Sequence, residues 1–325
     1  MDIVTDKIQA STARGGWWAR ASAARWVWVS LLLFAATRLG ILLVAYLAAG
    51  LFADSPFVAP YHLRGTSNVL LDVFGSRWDA GFYVSIAEDG YRYLGVPQPS
   101  VAFFPLYPLL MRTLGALVGD VLVAGIVISN TTLLLATMLL YRLADQSWGQ
   151  TVAERTIWYF LIFPAAFFGT AVYSESLFLL AAIGALYFAR RGYWELAALL
   201  GIVASLTRFT GLIVAPMLLA EWWVQRQNRP AGTRPSLLAP LAAAAVPLGT
   251  LAYAAYLNHA FGDPLAFVHG AAAWARQPQS PLVTIAALLQ TPEGGWWPAL
   301  LAGRVHPDNW LDLGFVLVFL ILGLV

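Results

Sequence analysis

The chain reads as an all-α polytopic membrane protein, a bundle of transmembrane helices whose large outer loops carry interfacial helices. Three observations predict it. Sixty per cent of the residues are hydrophobic and only 11% are charged, against roughly 25% charge in soluble domains, and the mean hydropathy is +0.69. Several apolar stretches reach or approach the roughly 20 residues that cross a bilayer, whereas a barrel needs short alternating segments. Fourteen tryptophans suit a protein with much membrane–water interface.

Residues 1–25 are polar, basic and rich in small side chains, and read as a cytoplasmic tail ahead of one transmembrane domain, 26–325. The first span is 26–49; its apolar run is too long for the core of a cleavable signal, about 7–15 residues. Arg14, Arg20 and Arg25 place the N-terminus inside under the positive-inside bias. Further spans are expected at 120–142, 155–173, 176–190, 194–207, 210–224 and 237–257. The chain stops within another apolar run, 310–325, shorter than a full span, so the domain reads as incomplete at its C-terminus.

Two basic clusters, Arg190–Arg191 and then Arg226, Arg229 and Arg234, bracket 194–224. With both inside, this stretch enters and returns as a short hairpin turning at TRFTG (207–211), where Gly211 and two threonines mark a break. One long tilted crossing is the alternative and would invert everything downstream. The hairpin puts loops 50–119 and 258–309 on the same outer side, with the YSES (173–176) and TRFTG turns. The second loop carries His259, Asp263, His269, Arg276, Glu293, Trp296, Trp297, Arg304 and His306.

Composition narrows the function. A net charge of +2 with no basic patch argues against nucleic acid. The absence of cysteine removes disulfides, thiolate metal sites and a cysteine nucleophile. Four scattered histidines lack HxxxH-type spacing, so neither a metal nor another cofactor is expected. No internal repeat supports an inverted-repeat transporter.

The most informative stretch is RWDAGFYVSIAEDGY (77–91), which sets Arg77, Asp79, Glu88 and Asp89 among aromatic side chains between apolar runs. Charge in such a setting is costly and usually binds something or does chemistry. Asp79 before the segment and Gly90 after it predict one helix over 80–89, with Trp78, Phe82 and Ile86 as an apolar stripe lying along the membrane surface. Asp79 is either the N-cap of that helix or a carboxylate base; Phe82 stands where a capping box wants Glu or Gln. Glu88 and Asp89 lie at the helix's C-terminal end, where the dipole disfavours them, so a compensating partner such as Arg92, Arg77, a metal or a substrate hydroxyl is expected.

FFPLYPLLMR (103–112), with prolines at 105 and 108, reads as an irregular aromatic entry into a second interfacial helix, either an isoprenoid-receiving surface or interfacial packing. Arg38 lies near mid-depth of the first span, where it either holds a lipid-linked phosphate or pairs with Glu175 or a backbone carbonyl. Glu175 and Arg208, in the two outer turns, form either a phosphate site or a mutual ion pair. Asn130 in the second span reads as interhelical hydrogen-bond glue.

In this order, RWDAGFYVSIAEDGY (77–91), VAFFPLYPLL (101–110), SNTTLLLA (129–136), YSESLFLL (173–180) and TRFTGLIV (207–214) resemble the PIG-V family, the GPI mannosyltransferase 2-like glycosyltransferases of the GT-C class. The resemblance covers roughly 70–225, and the first two motifs together make it specific. It implies a GT-C-like multi-pass transferase that takes mannose from a polyprenyl-phosphate donor on the outer side, inverting and generally metal-independent. An essential acidic residue in the first outer loop falls on Asp79, as general base; Arg208, with Arg38, would stabilise the departing phosphate. Arg77, Tyr83, Glu88 and Glu175 complete the candidate substrate contacts. The Ala/Arg/Trp-rich composition suggests a GC-rich bacterium, a plasma-membrane location and an acceptor other than GPI: a lipid, glycan or protein. The same scaffold with another lipid-linked sugar, or a lipid or solute transporter lined by Asp79, Glu175 and Arg208, are the alternatives.

Overall fold

The computed structural model describes residues 24–51, 68–228, 236–274 and 295–301, together with positions 283, 314, 317 and 318. The tail with Arg14 and Arg20, the arginines at 229 and 234, most of the run from 310, and Arg276, Glu293, Arg304 and His306 lie outside the described residues. The chain forms two compact units, 1–273 and 274–325. In the second, the described helix is Trp296–Leu301.

Helix α1 (Arg25–Leu51) has 27 residues, about 40 Å at 1.5 Å per residue. Few of its side chains are buried in protein, and Leu32, Leu39, Leu43 and Leu47 are exposed, as on a lipid-facing helix. Short helices α2 (Val69–Gly75) and α3 (Ala80–Asp89) follow. Then come α4 (Leu106–Val118) and the 28-residue α5 (Val121–Trp148). Asp120 caps α5, its side chain accepting from the Val123 N–H at 2.9 Å. Among the described residues, α1, α5 and the stretch 238–261 are long and apolar enough to cross a membrane, and shorter apolar helices accompany them. The protein is an all-α polytopic integral membrane protein.

The third predicted span ends early. Helix α6 covers Gln150–Ile162, and Phe163, extended at φ −57 and ψ 136, is followed by a 3-10 turn at Pro164–Phe167. Proline drives its predecessor out of the helical region and has no N–H to continue the ladder. Residues 168–174 therefore run irregularly into α7 (Glu175–Arg190).

The stretch 194–224 is a hairpin. Helix α8 (Trp194–Thr207) stops at Arg208, whose φ of −151 and ψ of 146 are extended; a 3-10 turn (Phe209–Ile213) leads into α9 (Val214–Gln227). The arms run antiparallel: the α9 residues Glu221 and Gln225 reach back to Arg190 (3.2 Å) and to the Ala189 carbonyl (2.9 Å) at the far end of α7. Helices α10 (Leu238–Ala245) and α11 (Leu248–Phe261) divide the last predicted span at Val246–Pro247. Helix α8 grips this break: Ser205 Oγ donates to the Val246 carbonyl at 2.5 Å, and Thr250 Oγ1 donates to the Ser205 carbonyl at 3.2 Å. A short α12 (Ala266–Ala271) packs on the turn at Ser100–Ala102.

Two expectations about 77–112 are corrected. The 80–89 helix has the predicted bounds but does not lie on a surface, because Ala80 through Val84, Ile86 and Ala87 are all buried. Small residues at 80, 81 and 87 let neighbours approach all round, so the helix is enclosed by α4, α5 and the 167–173 segment. The aromatic run 103–107 is likewise turned inward. Phe103 stacks on Phe82 with centroids 4.7 Å apart, Phe104 packs on Tyr253 and Phe267, and Tyr107 is fully buried. Pro105 and Pro108 fit because they stand at the N-cap and within the first turn of α4.

Candidate active site

Asp79 occupies the N-cap position of α3, but with helical dihedrals (φ −73, ψ −11) and no capping bond from its side chain. The residue before it, Trp78, has φ 55, the left-handed region that a bulky side chain enters at a cost of order 1–2 kcal/mol. The kink is held by rings, with Trp78 edge-on to Phe167 at 5.8 Å and to Phe168 at 6.1 Å. It separates two neighbours. Arg77 binds Asp72 Oδ2 through Nη2 at 2.9 Å and Nε at 3.1 Å, while Asp79 joins the 173–175 turn.

That turn assembles the cluster. The Asp79 N–H donates to Tyr173 Oη at 2.9 Å. Tyr83, one turn along α3, shares a hydrogen bond with Ser174 Oγ at 2.8 Å. Arg208, at the extended break after α8, donates through Nη1 to Ser174 Oγ at 3.1 Å and to Glu175 Oε1 at 2.5 Å. Glu175 Oε2 is buried with no hydrogen-bond partner among the described residues. Burial pushes the hydroxyls of Tyr83 and Tyr173 well above the usual phenol range, so both stay protonated. Asp79, Tyr83, Glu175 and Arg208, all singled out from the sequence, thus meet at the 173–175 turn: the Asp79 backbone bonds Tyr173, Tyr83 and Arg208 bond Ser174, Arg208 pairs with Glu175, and the Asp79 carboxylate acts on Tyr83, Glu175 and Arg208 through its charge.

The other candidates lie elsewhere. Arg38 is buried in α1 and donates to the Leu161 carbonyl at 2.8 Å, the Ala166 carbonyl at 2.9 Å and Thr170 Oγ1 at 2.8 Å. It takes the backbone-carbonyl alternative, latching onto the C-terminal end of α6, where carbonyls lack helical partners. Glu88 is exposed at the far end of α3, about 13 Å from Asp79 by helix rise. The expected compensation at that end comes from Arg92, 2.7 Å from Asp89, and from Arg112. Sequence reasoning passed over Arg112, which donates to the carbonyls of Ala87 (2.6 Å) and Glu88 (2.8 Å). Asn130 donates to the Thr170 carbonyl at 3.2 Å and to the Ile126 carbonyl of its own helix at 2.9 Å, so it ties α5 to the irregular 168–174 stretch rather than to another helix. Among the described residues no three His, Asp or Glu side chains gather as metal ligands.

Also passed over were Tyr107, Ser129, Tyr173 and Ser174, although each stands inside a quoted motif. Tyr107 Oη contacts Ser129 Oγ at 2.7 Å and the Gly125 carbonyl at 3.0 Å, and Ser129 Oγ donates to the Tyr173 carbonyl at 3.2 Å. The five motifs are therefore joined by hydrogen bonds: 77–91 through Asp79 and Tyr83, 101–110 through Tyr107, 129–136 through Ser129, 173–180 through Tyr173, Ser174 and Glu175, and 207–214 through Arg208. Beside Trp78 and Arg77 lies an apolar groove of about 620 Å³, walled by Ile41, Val44 and Ala48 of α1 and by Phe163 and Phe167.

The family match covers these residues. The family model Mannosyltransferase (PIG-V) matches residues 14–224. The chain is 30% identical over 148 residues to GPI mannosyltransferase 2 of Cryptococcus neoformans (42% of this chain, 34% of that protein). It is 37% identical over 133 residues to the Chaetomium globosum protein of that name (35% and 27%). To GPI alpha-1,6-mannosyltransferase 2 of Cricetulus griseus it is 32% identical over 158 residues (44% and 31%). The chain thus spans about a third of the length of the curated relatives it matches. No solved structure matches it. With most of its length and every motif of the Asp79 network inside the matched region, the chain belongs to the mannosyltransferase (PIG-V) family.

Proposed function

We propose that this protein transfers mannose from a polyprenyl-phosphate-mannose donor to an acceptor hydroxyl at the outer face of the membrane, with inversion at the anomeric carbon. The observation that carries the reading is the meeting of Asp79 with the Glu175–Arg208 pair around the 173–175 turn. Asp79 is the general base. As the acceptor oxygen bonds to the anomeric carbon, its proton passes to the Asp79 carboxylate. The bond from that carbon to the phosphate oxygen breaks, and the electron pair leaves with the polyprenyl phosphate. Arg208 faces the negative charge that develops on the phosphate; a guanidinium fixed by Glu175 and Ser174 needs no reorganisation to do so. Glu175 and Tyr83 contact sugar hydroxyls.

Membership of the family supports mannose as the sugar. A lipid-linked donor is supported by the groove lined by Trp78 and Arg77, whose apolar walls suit an isoprenoid tail. The acceptor is a lipid, glycan or protein hydroxyl in a bacterial plasma membrane. In sealed vesicles, label from polyprenyl-phosphate-mannose should enter acceptor with opposite anomeric configuration, seen by NMR of the product. Transfer from polyprenyl-phosphate-glucose instead would move the reading to another sugar. Retention of configuration would remove the single-displacement mechanism.

A further inference from the structure

Asp79 begins a helix that follows a strained residue, and its own side chain does not cap that helix. Its Cα position depends on what holds the backbone there. The Asp79 N–H points out of the helix start and is taken by Tyr173 Oη at 2.9 Å. Tyr173 is itself fixed. The residue is 6% exposed, and its ring packs on Phe168 with centroids 5.1 Å apart and near Tyr83 at 6.2 Å. Its carbonyl is held from α5 by Ser129, which is held from α4 by Tyr107.

Proton counting gives this chain a direction. Tyr107 and Ser129 have one hydroxyl hydrogen each and share three contacts. The Gly125 carbonyl already lies within the α5 helical ladder. With Ser129 donating to the Tyr173 carbonyl, the Tyr107 hydroxyl hydrogen is left to be shared between Ser129 Oγ and the Gly125 carbonyl.

We propose that Tyr173 is the positioning residue for Asp79, with Tyr107 and Ser129 locking Tyr173 in place; this rests on Asp79 as the base. Tyr173 does not touch the reacting atoms. It sets where the carboxylate stands, and a carboxylate displaced by 1 Å loses about 10²-fold in rate.

Two measurements separate the proposal from the reading beneath it. In steady-state transfer from polyprenyl-phosphate-mannose, Tyr173→Phe keeps the ring and removes one oxygen. It should lower kcat about 10- to 100-fold with an unchanged KM for the donor. Tyr107→Phe should lower kcat less, and the double variant should be no worse than Tyr173→Phe alone, since the two act in series. The second measurement needs no turnover: amide hydrogen exchange over residues 78–84 in detergent. Tyr173→Phe should speed exchange at the start of α3 at least about tenfold, the loss of one hydrogen bond of about 1.4 kcal/mol. Unchanged exchange overturns the proposal even if no donor is turned over, and so does a wild-type kcat or a raised KM alone. Full transfer by Asp79→Asn would remove Asp79 as base while leaving the exchange result to stand on its own.

Discussion

Removing the Arg38 guanidinium would leave the carbonyls of Leu161 and Ala166 without their side-chain donor in an apolar layer. The Ala166 carbonyl keeps the Gly169 N–H at 3.2 Å, so the acceptor left unsatisfied is that of Leu161, and Arg38→Met should destabilise the fold by about 1–3 kcal/mol in detergent unfolding. Activity per folded molecule should stay near wild type, because Arg38 lies in the latch between α1 and α6. Arg208 should behave in the opposite way. Arg208→Lys keeps a positive charge beside Glu175 but loses the planar fork, so transfer should fall at least about tenfold while the melting temperature moves little. Both arginines look alike in sequence, as lone cations among apolar residues. What separates them is the partner: helix-end carbonyls for one, and a carboxylate beside Ser174 for the other.

At the scale of elements, the bounds of α3 were legible because Asp79 and Gly90 mark both ends, and Gly90 has the positive φ of 90 that favours glycine. Its burial was not, because a three-residue apolar stripe describes one face, whereas Ala80, Gly81 and Ala87 admit neighbours on the others. The early end of α6 was written in Pro164, but the apolar run through 155–173 concealed it. The hairpin turn was marked by Gly211, and the reason is steric. A Cβ there would fall on the backbone of Ala204 and Ser205, which cannot yield as a side chain would. Gly211→Ala should therefore cost roughly 3 kcal/mol or more, read as loss of folded, monodisperse protein in detergent, whereas Gly119→Ala in the open turn before α5 should cost less.

Across the whole molecule, the motifs lie in sequence order but meet through helix rotations that no linear pattern encodes. Spacing exposed the charged members of the site, Asp79, Glu175 and Arg208. It hid the hydroxyls that join them, since Ser129 and Tyr107 look like ordinary residues of apolar helices until α4, α5 and the 173 turn are packed. A second long-range tie sits on the outside of the unit, where Asp263 Oδ2 meets His269 Nδ1 and accepts from Tyr93 Oη, both at 2.7 Å. These hydrogen bonds, that of His269 first, hold the Asp263 carboxyl below its ordinary value. A depressed carboxylate stabilises the fold above its unfolded pKa, about 3.9, and the contribution is lost as pH falls through the folded value. The loss of melting temperature on acidification below about pH 4 should accordingly be shallower in Asp263→Asn than in wild type.

Whether Asp79 removes the acceptor proton is read from transfer of labelled polyprenyl-phosphate-mannose by matched folded preparations of wild type and Asp79→Asn. Wild type should transfer the label, and transfer should fall about 10²–10⁴-fold in Asp79→Asn with donor binding retained. Transfer by Asp79→Asn at the wild-type rate would contradict that role.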